Sequence, residues 1–533
     1  MLAPARDEFV DLVRRRGSAR PLAIPVGLRL LSDQLTPVLA YRRLVAPDQR
    51  TAPSFLLESV ENGLHQGRHS MLGARPAIEV VAKERRVVVE NHRTGERSVS
   101  ETDDPLDALR ELASRHEFVR PAGRWPDAPL GGWFGYAAYD AVRYAEPGKL
   151  PFASAPLDDR DLPDLHFAFY DQLAIFDHAE KTVTAVAVAI VEPGEDAGAA
   201  HDAAARRVES LARELETPGE PLATARLPET ADAPGELESN LTRERHAAMV
   251  ARAKEYIAAG DIFQVVLGQR FCARVPVDPF EVYRALRAVN PSPYMVYLQA
   301  RGCILVASSP EILCRVRRDA EGRSVVTNRP LAGTRRRGAT PEEDAALEAE
   351  LLADPKERAE HAMLVDLGRN DVGKVAAPGT VRTPRLMEIE RYSHVMHISS
   401  TVTGALREGL DAWDALRAAL PVGTISGAPK IRAMQIIDEL EPVRRGPYGG
   451  GMGYVSLSGE MDIALTLRTI VAPTELRDGG DWTYHVQAAG GIVADSEAVA
   501  EYEETVSKAA ALARAIELAR RSFAGPPAAL KIP

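Results

Sequence analysis

Strands and helices alternate irregularly along this chain, which predicts a layered α+β fold rather than a doubly wound parallel sheet. Two observations carry that expectation. From about Val26 to Ile190 short apolar runs are broken by turn signals, whereas several later segments repeat their apolar residues at three and four. No internal repeat interrupts either pattern.

Taken in order, VVAKERRVVVENHRTGERSV (80–99) predicts a hairpin, and HFAFYDQLAIFDHAEKTVTAVAVAIV (166–191) two strands joined by a polar turn. Residues 195–215 shift to Ala, Arg and Glu at helical spacing. Residues 216–240, rich in Pro, Gly, Ala and acids, read as a solvated linker. This divides the chain into a strand-rich region 1–215, the linker 216–240 and a region 241–533. After the linker, LTRERHAAMVARAKEYIAAG is a helix with Thr242 as its cap and Gly260 at its end. IFQVVLGQRFCARV, YMVYLQARGCILVASS and CRVRRDAEGRSVVTN predict strands, and 342–369 and 429–440 helices. MDIALTLRTIV and YHVQAAGGIV predict two more strands, and 496–523 a closing amphipathic helix.

Length and charge exclude several classes of function. The chain of 533 residues is long enough for a large core, and its net charge of −11 argues against non-specific nucleic-acid or acidic-membrane binding, since neither polyanion releases counterions to an acidic partner. Cys272, Cys303 and Cys314 are too few and scattered for a disulfide framework or a zinc cage, so a reducing compartment, the cytoplasm, is expected. The start of the chain shows no apolar signal-peptide core. The most apolar run, TVTAVAVAIV, is half the length of a bilayer span.

GTISGAPK (423–430) lacks the Gly-Lys-Ser/Thr of a nucleotide-binding loop, and GGGMGY (449–454) fails the dinucleotide spacing. Both read as tight turns whose N–H groups approach a small anion such as a carboxylate. Carboxylates stand out at Glu311, Glu360, Glu501 and Glu504. The last two share one helix face just after the strand-like QAAGGIV, and an all-oxygen set favours a hard ion such as Mg²⁺ over zinc. His361, His394 and His397 are candidate bases. Arg468, inside the apolar MDIALTLRTIV, is either an anion clamp or half of an internal ion pair.

RPLAGTRRRG, RAEHAMLVDLGRND, RYSHVMHISSTVTG, LPVGTISGAPKIRAMQIIDELE, YGGGMGY and QAAGGIVADSEAVAEYEET occur in this order, and together they resemble the chorismate-utilising enzyme family. The resemblance is dense over about 240–515 and thinner through LLESVENGLHQGRHSMLG (56–73). It implies a two-lobed sandwich of antiparallel sheets flanked by helices, with intertwined lobes and the site between them. It also implies Mg²⁺ held by Glu360 and Glu504 with Glu501 beside them. Substrate contacts fall on Gly333, Thr334, Thr424, Tyr448, Arg468 and the backbone of Ala489, Gly490 and Gly491, the alanine standing where relatives often have glycine. Glu311 matches the general acid that protonates the departing ring hydroxyl, and His397 a supporting acid/base or orienting group.

Two positions narrow the reaction. Water-using members carry a base lysine where this chain has Gln264, whose neutral amide cannot activate water, so ammonia is the expected nucleophile. Covalent-type members carry a lysine where this chain has Ala332. The resemblance thus implies conversion of chorismate and ammonia to anthranilate and pyruvate. It further implies feedback by L-tryptophan at Ser59, Pro293, Tyr294 and Met295. No Cys lies in a nucleophile elbow, so a separate glutaminase subunit is expected to supply ammonia from glutamine. Alternatives are a synthase that keeps the aminated intermediate, aminodeoxychorismate or 2-amino-2-deoxyisochorismate, or a non-catalytic tryptophan-sensing subunit. The last is expected to lack one of Glu311, Glu360, Glu504 and Arg468, and all four are present.

Overall fold

Two large, almost wholly antiparallel sheets face each other in the computed structural model, which describes residues 2–61, 65–219, 221–225, 235–392 and 395–523. The central strands of the larger sheet run in the order Ser54–Glu58, Tyr294–Ala300, Cys303–Ser309, Thr469–Pro473, Trp482–Ile492, Gln264–Val275. The smaller sheet runs Leu331–Arg336, Val395–Ala405, Ser324–Asn328, Ile312–Arg318, Met461–Leu465, Gly451–Ser456, Gly132–Ala137, Leu165–Tyr170, then Ile78–Lys83. Each sheet therefore takes strands from both sides of the 216–240 segment. One seam pairs Met295 with Glu58, and the other pairs Met452 with Tyr136.

The inner faces are apolar, because alternate residues of both sheets point into the gap. Phe55, Ile175, Val296 and Leu305 come from the larger sheet, and Phe134, Tyr170, Met452 and Tyr454 from the strands or strand ends opposite. Phe55 and Phe134 stack with ring centroids 4.0 Å apart. Helices cover both outer faces. Ala197–Glu216, Pro279–Val289 and Ala498–Phe523 pack on the larger sheet, and Pro105–Ser114, Pro355–Val375 and Ala412–Ala419 on the smaller. No helix of the described residues is long and apolar enough to cross a membrane.

Three segments differ from the sequence expectation, each for a local reason. Residues 166–191 form three strands, not two. Leu165–Tyr170 belongs to the smaller sheet and Gln172–Asp177 to the larger, with Asp171 the single residue between. Its buried carboxylate meets the guanidinium groups of Arg93 and Arg207. The helix expected over 342–369 is two helices, Pro341–Ala353 and Pro355–Val375, because Pro355 cannot donate its N–H and Asp354 caps the second by accepting from the N–H groups of Lys356 and Glu357. MDIALTLRTIV is two strands in different sheets, Met461–Leu465 and Thr469–Pro473.

The glycine-rich GGGMGY also serves packing rather than an anion. A Cβ on Gly450 would lie 2.1 Å from the Ala137 carbonyl oxygen, and one on Gly453 2.1 Å from that of Asp462. The central place of Gly451–Ser456 in its sheet requires this bare backbone.

Phe134→Ala is expected to destabilise the protein by about 3–5 kcal/mol through the cavity left between the sheets. A urea midpoint indistinguishable from that of Val99→Ala, at a half-exposed strand position, would contradict an inter-sheet core centred there.

Candidate active site

Two neighbouring chain crossings build the site. One leaves the larger sheet after Cys303–Ser309 and enters the smaller at Ile312–Arg318, through Pro310 and Glu311. The other returns from Met461–Leu465 to Thr469–Pro473 through Thr466, Leu467 and Arg468. They run side by side: the Leu465 N–H donates to the Glu311 carbonyl at 2.9 Å, and the Ser308 N–H to that of Arg468 at 3.1 Å. Arg468 holds φ at +45°, a left-handed conformation unusual for a residue with a side chain.

A cavity of about 750 Å³ opens beside these crossings. It is lined by Gly333, Thr334, Glu360, His397, Arg468, Gly491, Glu501 and Glu504, drawn from five elements and one crossing that the sequence leaves far apart. The Arg468 guanidinium makes no ion pair or hydrogen bond among the described residues, and burial pulls its pKa below the ordinary value. Of the two readings open for it, the internal ion pair is therefore excluded. An unpaired, desolvated cation on a cavity wall suits an anionic ligand.

His397 accepts no proton readily. Burial, then the nearby cations Arg468 and Lys508, push its pKa down to about 4 against the opposing effect of the Gly333 carbonyl. Its Nδ1 lies 2.9 Å from that carbonyl oxygen and 3.0 Å from Thr334 Oγ1. A carbonyl only accepts, so Nδ1 carries the hydrogen and Nε2 is left as the acceptor. The Gly333 backbone reaches this position through a bulge between Ala332 and Thr334, with φ at +69°, within the strand Leu331–Arg336.

Glu360, on the helix Pro355–Val375, accepts a hydrogen bond from Gln264 Nε2 at 3.1 Å. Glu501 and Glu504 project from the first turns of the closing helix, as their spacing predicts. Glu504 pairs with Lys508 Nζ at 2.7 Å, whereas Glu501 Oε2 is buried with no hydrogen-bond partner. Burial raises the Glu501 pKa, the Ser496 hydroxyl lowers it, and Glu504 raises it further. Among the described residues no three His, Cys, Asp or Glu side chains are grouped closely enough to hold a metal ion. The donor chemistry nonetheless fits a hard dication: four carboxylates, Glu357, Glu360, Glu501 and Glu504, line one cavity, and Glu501 Oε2 lacks any partner.

The tandem glycines make room for these groups. A Cβ on Gly490 would approach Glu501 Oε2 to 3.0 Å, and one on Gly491 would come within 2.6 Å of Gln264 Nε2. Ala489 contributes its backbone, its carbonyl accepting from Lys508 Nζ at 2.8 Å. Tyr448 is buried against the same residue's backbone.

Glu311 and Thr424 lie off the lining of this cavity. Glu311 is buried at the crossing, where its Oε1 accepts from Thr424 Oγ1 at 3.1 Å. Burial drives its pKa up to about 8, against the smaller lowering effects of Thr424 and the Leu331 N–H. At neutral pH it is mostly a protonated acid. Pro310 and Tyr392 line both this cavity and a second one of about 380 Å³. Ser59, Pro293, Tyr294, Met295 and Glu311 all line the second. The two halves of the expected tryptophan site thus share one cavity.

The other histidines separate clearly. His361 is buried and its Nε2 meets Ser400 Oγ at 2.7 Å, a core interaction, while His394 lies outside the described residues. Sequence reasoning missed Lys508, which touches Glu504 and Ala489 and lines the cavity. Its position four residues after Glu504 on one helix was the available signal.

Residues 54–514 match the family described as chorismate binding enzyme. The chain is 53% identical to the anthranilate synthase alpha subunit 1, chloroplastic, of Oryza sativa subsp. indica over 94% of its length and 89% of the relative's. It is 52% identical to the same-named protein of Arabidopsis thaliana, over 94% and 86%. The crystal structure of anthranilate synthase component I from Streptococcus pneumoniae aligns with a TM-score of 0.69 at 34% identity, covering 91% of this chain and 99% of that one. These names overturn the expected cytoplasmic compartment, since both plant relatives are named chloroplastic. Three unpaired cysteines implied only reducing surroundings, which do not single out the cytoplasm. The chain belongs to the chorismate binding enzyme family.

Proposed function

We propose that the chain is the large subunit of an anthranilate synthase, a lyase that converts chorismate and ammonia to anthranilate, pyruvate and water. The observation that carries this reading is the cavity, where the unpaired Arg468 and Lys508, itself paired with Glu504, stand with carboxylates, a neutral His397 and, behind Glu360, the Gln264 amide. The similarity to subunits of that name supports it.

Arg468 and Lys508 offer positive charge to a dicarboxylate substrate within a chain of net charge −11. Glu360 and Glu504, with Glu501 beside them, are the residues that would hold Mg²⁺. Bound Mg²⁺ would neutralise a substrate carboxylate. Gln264 cannot act as a base toward water, which leaves ammonia to form the C–N bond at ring C2 while the C4–O bond breaks. Glu311, protonated at neutral pH, supplies the proton that lets hydroxide depart as water. It stands in the wall next to Pro310, which lines the larger cavity. The C2 proton of the aminated ring is then removed as pyruvate leaves, and neutral His397, a weak base, would serve chiefly to orient the ring through Nε2.

L-Tryptophan is proposed to bind the smaller cavity. Its wall includes Ser59, Pro293, Tyr294 and Met295, and the crossing that carries Glu311, so an occupant there bears directly on the acid. The name alpha subunit borne by the plant relatives supports a second, glutaminase subunit that supplies ammonia.

Incubation with chorismate, Mg²⁺ and ammonium is expected to yield fluorescent anthranilate and pyruvate in equal amounts. Formation of neither product would end the enzyme reading, and amination without pyruvate would favour a synthase that stops at the intermediate. At constant free ammonia the rate should fall as pH rises through about 8, because Glu311 loses its proton. Glu311→Gln should lower kcat about 10²–10⁴-fold. An unchanged alkaline limb in a still-active Glu311→Gln enzyme would assign that limb elsewhere. Ser59→Arg and Met295→Thr should each retain turnover and lose inhibition by tryptophan, and full inhibition of both would remove the regulator from this cavity.

A further inference from the structure

Arg445 is wholly buried, lines neither cavity, and has no part in the chemistry above. A guanidinium withdrawn from water is costly unless fully paired, and apolar residues commonly replace such ion pairs without loss of stability. Its contacts give it a different purpose. Nε and Nη2 donate to the two carboxylate oxygens of Glu441 at 2.9 and 2.6 Å, which returns the charge. Nη1 donates to the Ile425 carbonyl at 2.7 Å, and Nη2 also to the Val266 carbonyl at 2.7 Å. Glu441 Oε1 in turn accepts from the Gly268 N–H at 2.8 Å. The guanidinium lies 4.7 Å from the Tyr139 ring centroid and 6.0 Å from that of Tyr448.

Ile425 directly follows Thr424, the partner of Glu311, and Val266 lies two residues beyond Gln264, the partner of Glu360. We propose that Arg445, oriented by Glu441, is a positioning residue for the amination step: it ties the Thr424 segment to the Gln264 strand so that both side chains meet their carboxylates together. The GTISGAPK segment, which fits no nucleotide site, acquires a purpose here as the arm that carries Thr424. Only a planar fork can serve a carboxylate and two carbonyls from one point, and the three rotating donors of a lysine ammonium cannot. The inference rests on Glu311 as proton donor to the leaving hydroxyl.

The test is a double-mutant cycle of Arg445→Lys and Thr424→Val, read by ammonia-dependent anthranilate formation. Arg445→Lys should lower kcat by about 10–100-fold with KM for chorismate changed less than about threefold, as expected for a misplaced group that does not itself bind substrate. The double variant should be no slower than Arg445→Lys alone, because the Thr424 contact is already lost. Retention of kcat within about twofold by Arg445→Lys, or losses that multiply in the double variant, would overturn the proposal. If near-UV circular dichroism shows that Arg445→Lys does not fold, Glu441→Gln, which keeps the shape and removes the counter-charge, enters the same cycle with the same criteria. An inactive wild type overturns the functional reading and this inference with it, whereas an active wild type indifferent to these substitutions overturns the inference alone.

Discussion

The paired crossing between the sheets is the constraint on which the rest of the site depends. A hydrogen-bonded two-strand unit, Cys303–Ser309 with Thr469–Pro473, passes from the larger sheet into Ile312–Arg318 with Met461–Leu465 in the smaller. At the point of passage neither ladder can continue. Pro310 has no N–H to donate, and Arg468 adopts a left-handed conformation that turns the chain. The bonds between Glu311 and Leu465, and between Ser308 and Arg468, hold the two crossings together. Because the sheets are separated by a packed aromatic core, the height of these side chains is set by the fold rather than by a loop.

That placement concentrates ionisable groups whose burial is only partly compensated. Glu311 is an acid made weak by burial, Arg468 a guanidinium without a counter-ion, and Glu501 a carboxylate with a bare oxygen. Each is unfavourable by itself, and each is suited to a ligand that supplies the complementary charge or hydrogen bond. Elsewhere the buried charges are closed upon themselves, as Arg445 is with Glu441 and Lys430 with Asp371. The contrast distinguishes groups that await a ligand from groups that hold the frame.

The two cavities share this frame. Pro310 and Tyr392 face both, and Glu311 lies on the wall of the smaller one while its proposed chemistry belongs to the larger. A ligand in the smaller cavity would therefore touch the crossing that carries the acid, and the regulation proposed above would need no distant relay.

Much of this was legible in the sequence. Capping by Thr242, the antiparallel pairing expected over 80–99, and the shared face of Glu501 and Glu504 follow from local spacing, and ordered motifs identified the family. What spacing cannot carry is which sheet a strand enters. MDIALTLRTIV and HFAFYDQLAIFD read as uninterrupted apolar runs because both sheets bury their strands on both faces, so the hydrophobic pattern continues unchanged across the crossings at 466–468 and Asp171. The sequence by itself determined the residue chemistry and the family. Only tertiary packing decided that Arg468 stands unpaired, that Glu311 is protonated, and that Ser59 meets Met295 across one cavity, because burial and long-range proximity come from elements far apart in the chain.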